Sequence, residues 1–563
     1  MSALWLLPLA IGLPLALAAL SALPLVRARS LTLAIFAPLP ALAAALFAPR
    51  GEAIMMPDLV LGVTLTLSNA GALFLGGASL LWLIAGLYSR LHMKGKDGAG
   101  NFALFWNLCL AGNMGVFLAA DAVTFYVAFA LVSLMAFPLV IHDRSAKALH
   151  AGVVYIVLAV LGEAALLGGL LLASGAAGGS TDMAALTDAI WLSSDRALIL
   201  ALLMTGFGIK AGLVPLHIWL PVAHPAAPVP ASAVLSGAIV KAGIFGLLAF
   251  LPLGSGLAVS GGVLIVLGFT GAFGAAVYGL TQRDPKAVLA YSTVSQMGLV
   301  LAVIGAGLAA SLPFEGLAAG IAIYALHHGL AKGALFLGVG AMNTVSGAAA
   351  RRLRRALGLI ALSITGLPLT GGALAKLALK APLDPLHEGL ITVSALTTAL
   401  LLTRFLHLMQ PREESHEPSK PLRSILVMTL GLGAMTLPWL VFGQSGLATG
   451  YAWKADNLMN AVWPLALAGL VIMAWRRARL TMPAAPQGDL LALLEACGRV
   501  ATATARSAIV KMARPADRRK APSAIAWLAP LSAWIDTIEA AMDRSIALFV
   551  MLIALAGAAL LLL

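Results

Sequence analysis

Charge is scarce in this sequence. Only 10% of its 563 residues are charged against 61% hydrophobic, and the mean hydropathy is +0.97. That balance excludes a soluble globular protein and indicates an all-α polytopic membrane protein. Cysteine is nearly absent. Cys109 falls in an apolar span and Cys497 in a polar tail, which argues against a disulfide. With no CxxC and no Cys/His cluster, neither a zinc, iron–sulfur or c-type haem site nor any other cofactor is expected. Acidic residues are few as well, 23 against 36 Lys and Arg, which leaves a net charge of +13. Such an excess can signal nucleic acid, but its placement along the chain points elsewhere.

Apolar stretches of spanning length recur near 4–26, 31–48, 71–88, 102–119, 121–141, 150–174, 196–222, 229–251, 258–281, 287–307, 316–343, 355–380, 387–409, 425–445, 459–475 and 545–563. That predicts about sixteen transmembrane helices, packed closely through abundant glycine. With the N-terminus outside, the inward loops hold clusters such as Arg90, Lys94 and Lys96, then Arg351, Arg352, Arg354 and Arg355, then Arg476, Arg477 and Arg479. Twenty-seven basic residues fall inward, including eight in the tail 480–544, against four outward: Arg50, Arg196, Lys380 and Lys454. This bias places both termini outside and explains the net charge as a topology signal, not a nucleic-acid footprint. The first span lacks a basic n-region and reads as a retained helix, not a cleaved leader. Residues 480–544 differ in kind: apolar residues at helical spacing alternate with charges and are interrupted at Pro515, Pro522 and Pro530. Two readings stay open there, a linker lying on lipid or an amphipathic lateral arm packed along neighbouring helices or subunits.

The chemistry concentrates in a few ionisable side chains set deep in apolar spans. Lys210 and Lys241 flank a proline-rich turn, and Pro215 breaks the first of their two spans five residues after Lys210. A lysine at the bilayer centre costs ~2.5–3.5 kcal/mol on insertion scales, so a paired or hydrated site is needed. Broken backbone at that depth is tolerated only inside protein or beside a water-filled cavity. The other deep groups are Glu163, His327, His328, Lys332 and Lys376. Four lysines share the interior with one glutamate, so one-to-one pairing cannot neutralise them. Desolvation favours a neutral amine, and neutral amines linked by histidine can pass protons. The set Glu163, Lys210, Lys241, His328, Lys332 and Lys376 therefore reads as a proton relay, with His217, His224 and His327 as secondary candidates. For His217 and His224 the preferred reading is a hydrogen-bonded structural histidine. Arg404 lies near a span end and can snorkel.

A second broken span, ITGLPLTGGALAK, runs in the opposite direction and ends in Lys376. Two oppositely directed broken helices, each with a lysine, fit inverted repeats. The expected organisation is 1–101 for three leading helices, 102–251 and 252–410 for the repeats, 411–479 for two more helices, 480–544 for the arm and 545–563 for a final helix.

KAGLVPLHIWLPVAHPAAPVPASAVLSGAIVKAG (210–243) resembles the signature of the antiporter-like proton-translocating subunits of respiratory complex I, Mrp-type Na⁺/H⁺ antiporters and formate-hydrogenlyase-type membrane-bound hydrogenases. DPKAVLAYSTVSQMG (284–298), HHGLAKGALFLGVG (327–340) and GLPLTGGALAK fit the same family, and the AHPAAP turn leans towards its hydrogenase-type members. The resemblance implies Lys210 as the proton-holding lysine, Lys241 as the connecting lysine, His328 and Lys332 as a central bridge and Lys376 as the exit-side charge. It also implies a glutamate in the span 121–141, where this chain has Ala130. Glu163, one span later at similar depth, is the expected substitute partner of Lys210; the competing reading is a redirected or inactive half-channel. The implied function is a proton-translocating subunit of a multisubunit complex in a bacterial inner membrane, moving H⁺, with Na⁺ as a second candidate ion. Other membrane subunits would be partners, and a cytoplasmic redox or carbonic-anhydrase-like module would drive it. The alternative is a non-transporting scaffold that anchors such a module.

Overall fold

The computed structural model describes residues 3–310, 314–410, 421–479 and 482–492. Most of the arm expected at 480–544, and the final span at 545–563, lie outside the described residues. What is described is an all-α polytopic membrane protein, with eleven helices long and apolar enough to cross a membrane. In chain order the main helices are α1 (Leu6–Leu20), α2 (Leu39–Phe47), α3 (Asn69–Met93), α4 (Ala99–Leu118), α5 (Ala122–Val140) and α6 (Ala146–Ala176). There follow α7 (Arg196–Ala211), α8 (Leu220–Ala226), α9 (Val229–Val234), α10 (Val240–Phe250), α11 (Ala258–Leu280) and α12 (Pro285–Ala309). The series closes with α13 (Phe314–Met342), α14 (Gly347–Thr365), α15 (Gly371–Lys380), α16 (Pro385–Leu408), α17 (Pro421–Val441) and α18 (Ala455–Arg477). A short hairpin of β1 (Ala53–Met56) and β2 (Val63–Thr66) between α2 and α3, and a helix at Met183–Leu192, are features that hydropathy did not mark.

The turns between spans are written in capping residues. Asp121 starts α5 by accepting from Thr124 N at 2.7 Å, and Ser145 starts α6 in the same way. Asp284 and Asp384 cap α12 and α16, each followed by a proline at the first helical position, where no backbone donor is lost. The core runs through α12, whose apolar window is wholly buried, and through the stretch Val229–Phe250, at 94%. By contrast only 11% of the apolar window of α18 is buried.

Both predicted breaks are present, and each uses a glycine in the left-handed region. Gly212 (φ 83°) ends α7 and Gly366 (φ 95°) ends α14, a conformation open to glycine without strain. At the first break the Trp219 indole donates to Ile209 O at 2.8 Å and occupies a carbonyl freed at the helix end. A third irregularity was not anticipated: Leu235–Ile239, between α9 and α10, forms a π-helical turn.

Candidate functional site

The irregular backbone and the buried charges coincide. The π turn loosens the ladder just before α10, and the Ser236 carbonyl in it accepts from Lys241 Nζ at 2.6 Å. The same ammonium lies 2.8 Å from His328 Nδ1 on α13. Only glycine permits this closeness: a Cβ on Gly237 would sit 2.6 Å from Gly329 O, and one on Gly329 would sit 2.5 Å from Gly237 O. The chain of small residues in LSGAIVKAG and HHGLAKG is thus what brings Lys241 against His328. Lys332, one turn further along α13, donates to Leu289 O of α12 at 3.0 Å and is close enough to Lys241 for their charges to interact.

On one side of this centre is Lys210, in the last turn of α7. Gly243 of α10 packs against it, since a Cβ there would meet Lys210 Cβ at 3.1 Å and Phe207 O at 2.5 Å. The Lys210 ammonium lies over the rings of Phe129 and Tyr155, 5.6 Å from each centroid, and 3.4 Å from the Tyr155 hydroxyl. That hydroxyl donates to Ser133 O at 2.7 Å. Glu163 is buried on α6, on the same face as Tyr155 two turns earlier, beside Ser133 and within the field of Lys210. Among the described residues no contact ion pair joins the two, so Glu163 and Lys210 interact across a gap. From α5 it is the Phe129 ring that faces the lysine, Ser133 meets it only through Tyr155, and Ala130 is only half-buried.

On the other side, His327 Nε2 meets Ser363 Oγ at 3.0 Å, and Lys376 donates to Thr365 O, freed at the second break, at 3.1 Å. Gly372 permits the fold-back, because a Cβ there would fall 1.6 Å from Ser363 O and 2.9 Å from the His327 ring. Lys376 lines an open cleft between α15, α16 and α18.

The nine candidates all lie buried. Lys241, His328 and Lys332 form one cluster, Glu163 and Lys210 a second, His327 and Lys376 a third. Of the two histidines expected to be hydrogen-bonded structural residues, His217 is one and His224 is not. His224 was read as a hydrogen-bonded structural residue, yet both its ring nitrogens are buried without a partner among the described residues. Its ring stacks on Phe336 with centroids 4.6 Å apart, so aromatic contact rather than hydrogen bonding holds it. His217 does have a partner, Asp489 Oδ2 at 2.8 Å, supplied by the first residues of the arm. That strap is also held by Tyr278, which donates to Pro486 O at 2.9 Å. Residues that sequence reasoning passed over are Tyr155, Ser133, Phe129 and Asp489. Only Tyr155 left a trace, as a phenol eight positions before Glu163 in an otherwise apolar span.

Chemically, an amine and an imidazole in hydrogen-bond contact hold a proton on either atom. The buried Lys241–His328 pair can therefore exchange one proton without a change in its heavy-atom positions.

A family model described as NADH:quinone oxidoreductase/Mrp antiporter, transmembrane, matches residues 119–401, the stretch that includes every candidate from Glu163 to Lys376. Hydrogenase-4 component B of Escherichia coli is 34% identical over 291 residues, 50% of this chain and 43% of that protein. Na⁺/H⁺ antiporter subunit A1 of Staphylococcus haemolyticus is 31% identical over 340 residues, 54% of this chain and 42% of that protein. The chain thus spans less than half the length of either relative. In three dimensions it is similar to a chain in the structure of the Mrp complex from Dietzia sp. DQ12-45-1b, with a TM-score of 0.70 at 23% identity, covering 96% of this chain and 63% of that one.

Proposed function

This chain belongs to the NADH:quinone oxidoreductase/Mrp antiporter transmembrane family, and from that premise we propose that it is a proton-translocating subunit of a multisubunit membrane complex. The observation that carries the proposal is the 2.8 Å contact of Lys241 with His328 at the centre of the buried cluster, between two broken helices that each present a lysine. Mid-membrane ionisable groups of this density are functional by default, because their insertion cost has to be offset by a role. In this reading the loops rich in arginine face the cytoplasm of a bacterial inner membrane. Lys210 takes up a proton under the influence of Glu163, Lys241, His328 and Lys332 pass it across the centre, and Lys376 releases it outward. The stretches 102–251 and 252–410 act as two inverted halves. A partner module, redox or carbonic-anhydrase-like, supplies the energy by changing hydration and charge at Lys210. H⁺ is the ion proposed, since lysine and histidine side chains take up and release protons.

Glu163 fits the role of the carboxylate partner that Ala130 does not provide. It shares Ser133 and Tyr155 with the Lys210 pocket, and both carboxylate and ammonium are held in protein, not at the surface. The test is driven proton flux in proteoliposomes containing the whole complex, read with a pH-sensitive dye. Lys210→Met and Lys376→Met are each expected to abolish it while leaving the subunit assembled. Full flux in both variants would leave the non-transporting scaffold as the better reading.

A further inference from the structure

Lys376 is not the last charge on its side of the molecule. Lys380 follows four residues later on the same face of α15, and both lysines line the cleft, together with Thr365, Thr392, Asn457 and Asn460. The two side chains are held differently. Lys376 donates to a backbone carbonyl. Lys380, 8% exposed, donates to Glu388 Oε1 at 2.9 Å and lies 3.4 Å from Thr392 Oγ1. Glu388 itself is 39% exposed and stands at the rim on α16. The ion pair therefore reaches from a buried ammonium that lines the cleft to a surface carboxylate.

The two ammonium groups are near enough for their charges to act on each other. Few other charges bear on the cleft. Asp384 and His387 pair with each other at the start of α16, where that hydrogen bond holds the Asp384 carboxyl below the usual carboxylate range. Lys454 lies over the Tyr451 ring at 4.8 Å, and His327 is near enough to Lys376 for its charge to act on it. Lys376 and Lys380 are the two charged side chains among the residues that line the cleft.

Building on the proton path above, we propose that Lys380 and Glu388 form its outer gate, opened by the arrival of a proton on Lys376. Repulsion between two largely buried ammonium groups one helical turn apart exceeds what a half-exposed ion pair can hold. Lys380 swings towards the rim, and water enters. Lys376 Nζ then gives its proton to a water molecule, which leaves as hydronium; the amine is neutral, the repulsion ends, and Lys380 returns to Glu388. No bond between heavy atoms forms or breaks. The gate keeps external protons from running back to Lys376 while it is neutral.

The experiment measures passive proton leak in proteoliposomes of the whole complex with its driving module idle, under an imposed pH gradient. Glu388→Gln removes the acceptor, and Lys380→Gln breaks the same pair from the other side; each should raise the leak about five-fold, as expected for loss of a half-exposed ion pair. Glu388→Asp, which keeps the carboxylate, should stay closer to wild type. Adding Lys376→Met to Glu388→Gln should return the leak to its basal level. An unchanged leak in both single variants, with the subunit assembled at wild-type levels, overturns the gate. Driven flux that survives Lys376→Met would instead overturn the path on which the gate sits, so the two failures are distinguishable.

Discussion

The Gly237–Gly329 crossing offers the most quantitative handle on the central contact. In Gly329→Ala the new methyl would lie 2.5 Å from Gly237 O, a backbone atom that cannot rotate away, and ordinary contact begins at 3.4 Å. The two backbones must therefore separate by about 0.9 Å. His328 is the adjacent residue and moves with its backbone. Its 2.8 Å contact with Lys241 would lengthen to about 3.7 Å, beyond hydrogen-bond range. Overpacking of this kind costs ~1–3 kcal/mol, so an assembled but impaired subunit is the expected product. Driven proton flux in proteoliposomes, normalised to assembled complex, should fall at least about ten-fold, which corresponds to only ~1.4 kcal/mol in the barrier. Gly274→Ala is the matched control, because nothing lies within 4 Å of its added methyl; it should transport as wild type. Normal flux in Gly329→Ala would show that the Lys241–His328 distance does not matter to transport.

Other outcomes follow from the Lys210 side and from the strap. Glu163→Gln should reduce flux strongly and Glu163→Asp much less; equal flux in the two would remove Glu163 from its role as partner of Lys210. Tyr155→Phe deletes the hydroxyl that donates to Ser133 O and meets Lys210. It should cost ~1 kcal/mol of stability, read in a thermal-shift assay, together with a loss of flux; flux at the wild-type level would make Tyr155 purely structural. Asp489→Ala should loosen the strap on His217 and speed tryptic cleavage at Arg477 and Arg479 by about five-fold, the scale of a single weak ion pair. Unchanged cleavage would mean that the strap is held by Tyr278 and packing alone.

Much of this architecture was legible because membrane helices advertise themselves. Eleven of the sixteen expected spans coincide with described helices long and apolar enough to cross a membrane, since length and apolarity are dictated by the bilayer. The breaks were visible at Pro215 and Gly366, where proline and left-handed glycine leave few alternatives. Other features were hidden because they arise between helices. The π turn at Leu235–Ile239 has no local signature; it exists because Lys241 and the Gly237–Gly329 crossing make use of it. Phe129 and Ser133 depend on how α5 is rotated about its own axis, which a nearly uniform apolar sequence does not encode. His224 looked like a polar residue in need of partners, and only the Phe336 ring beside it explains its place. Lys380 read as an ordinary outward loop charge, although its side chain turns back into the cleft beside Lys376.

Lys241 is the hub of the proposed path, because its ammonium joins the π turn to His328 at the centre of the buried charges. The decisive measurement is driven proton flux of the assembled complex containing Lys241→Ala. Loss of flux with normal assembly is the predicted result, and flux at the wild-type level would contradict the route through the centre.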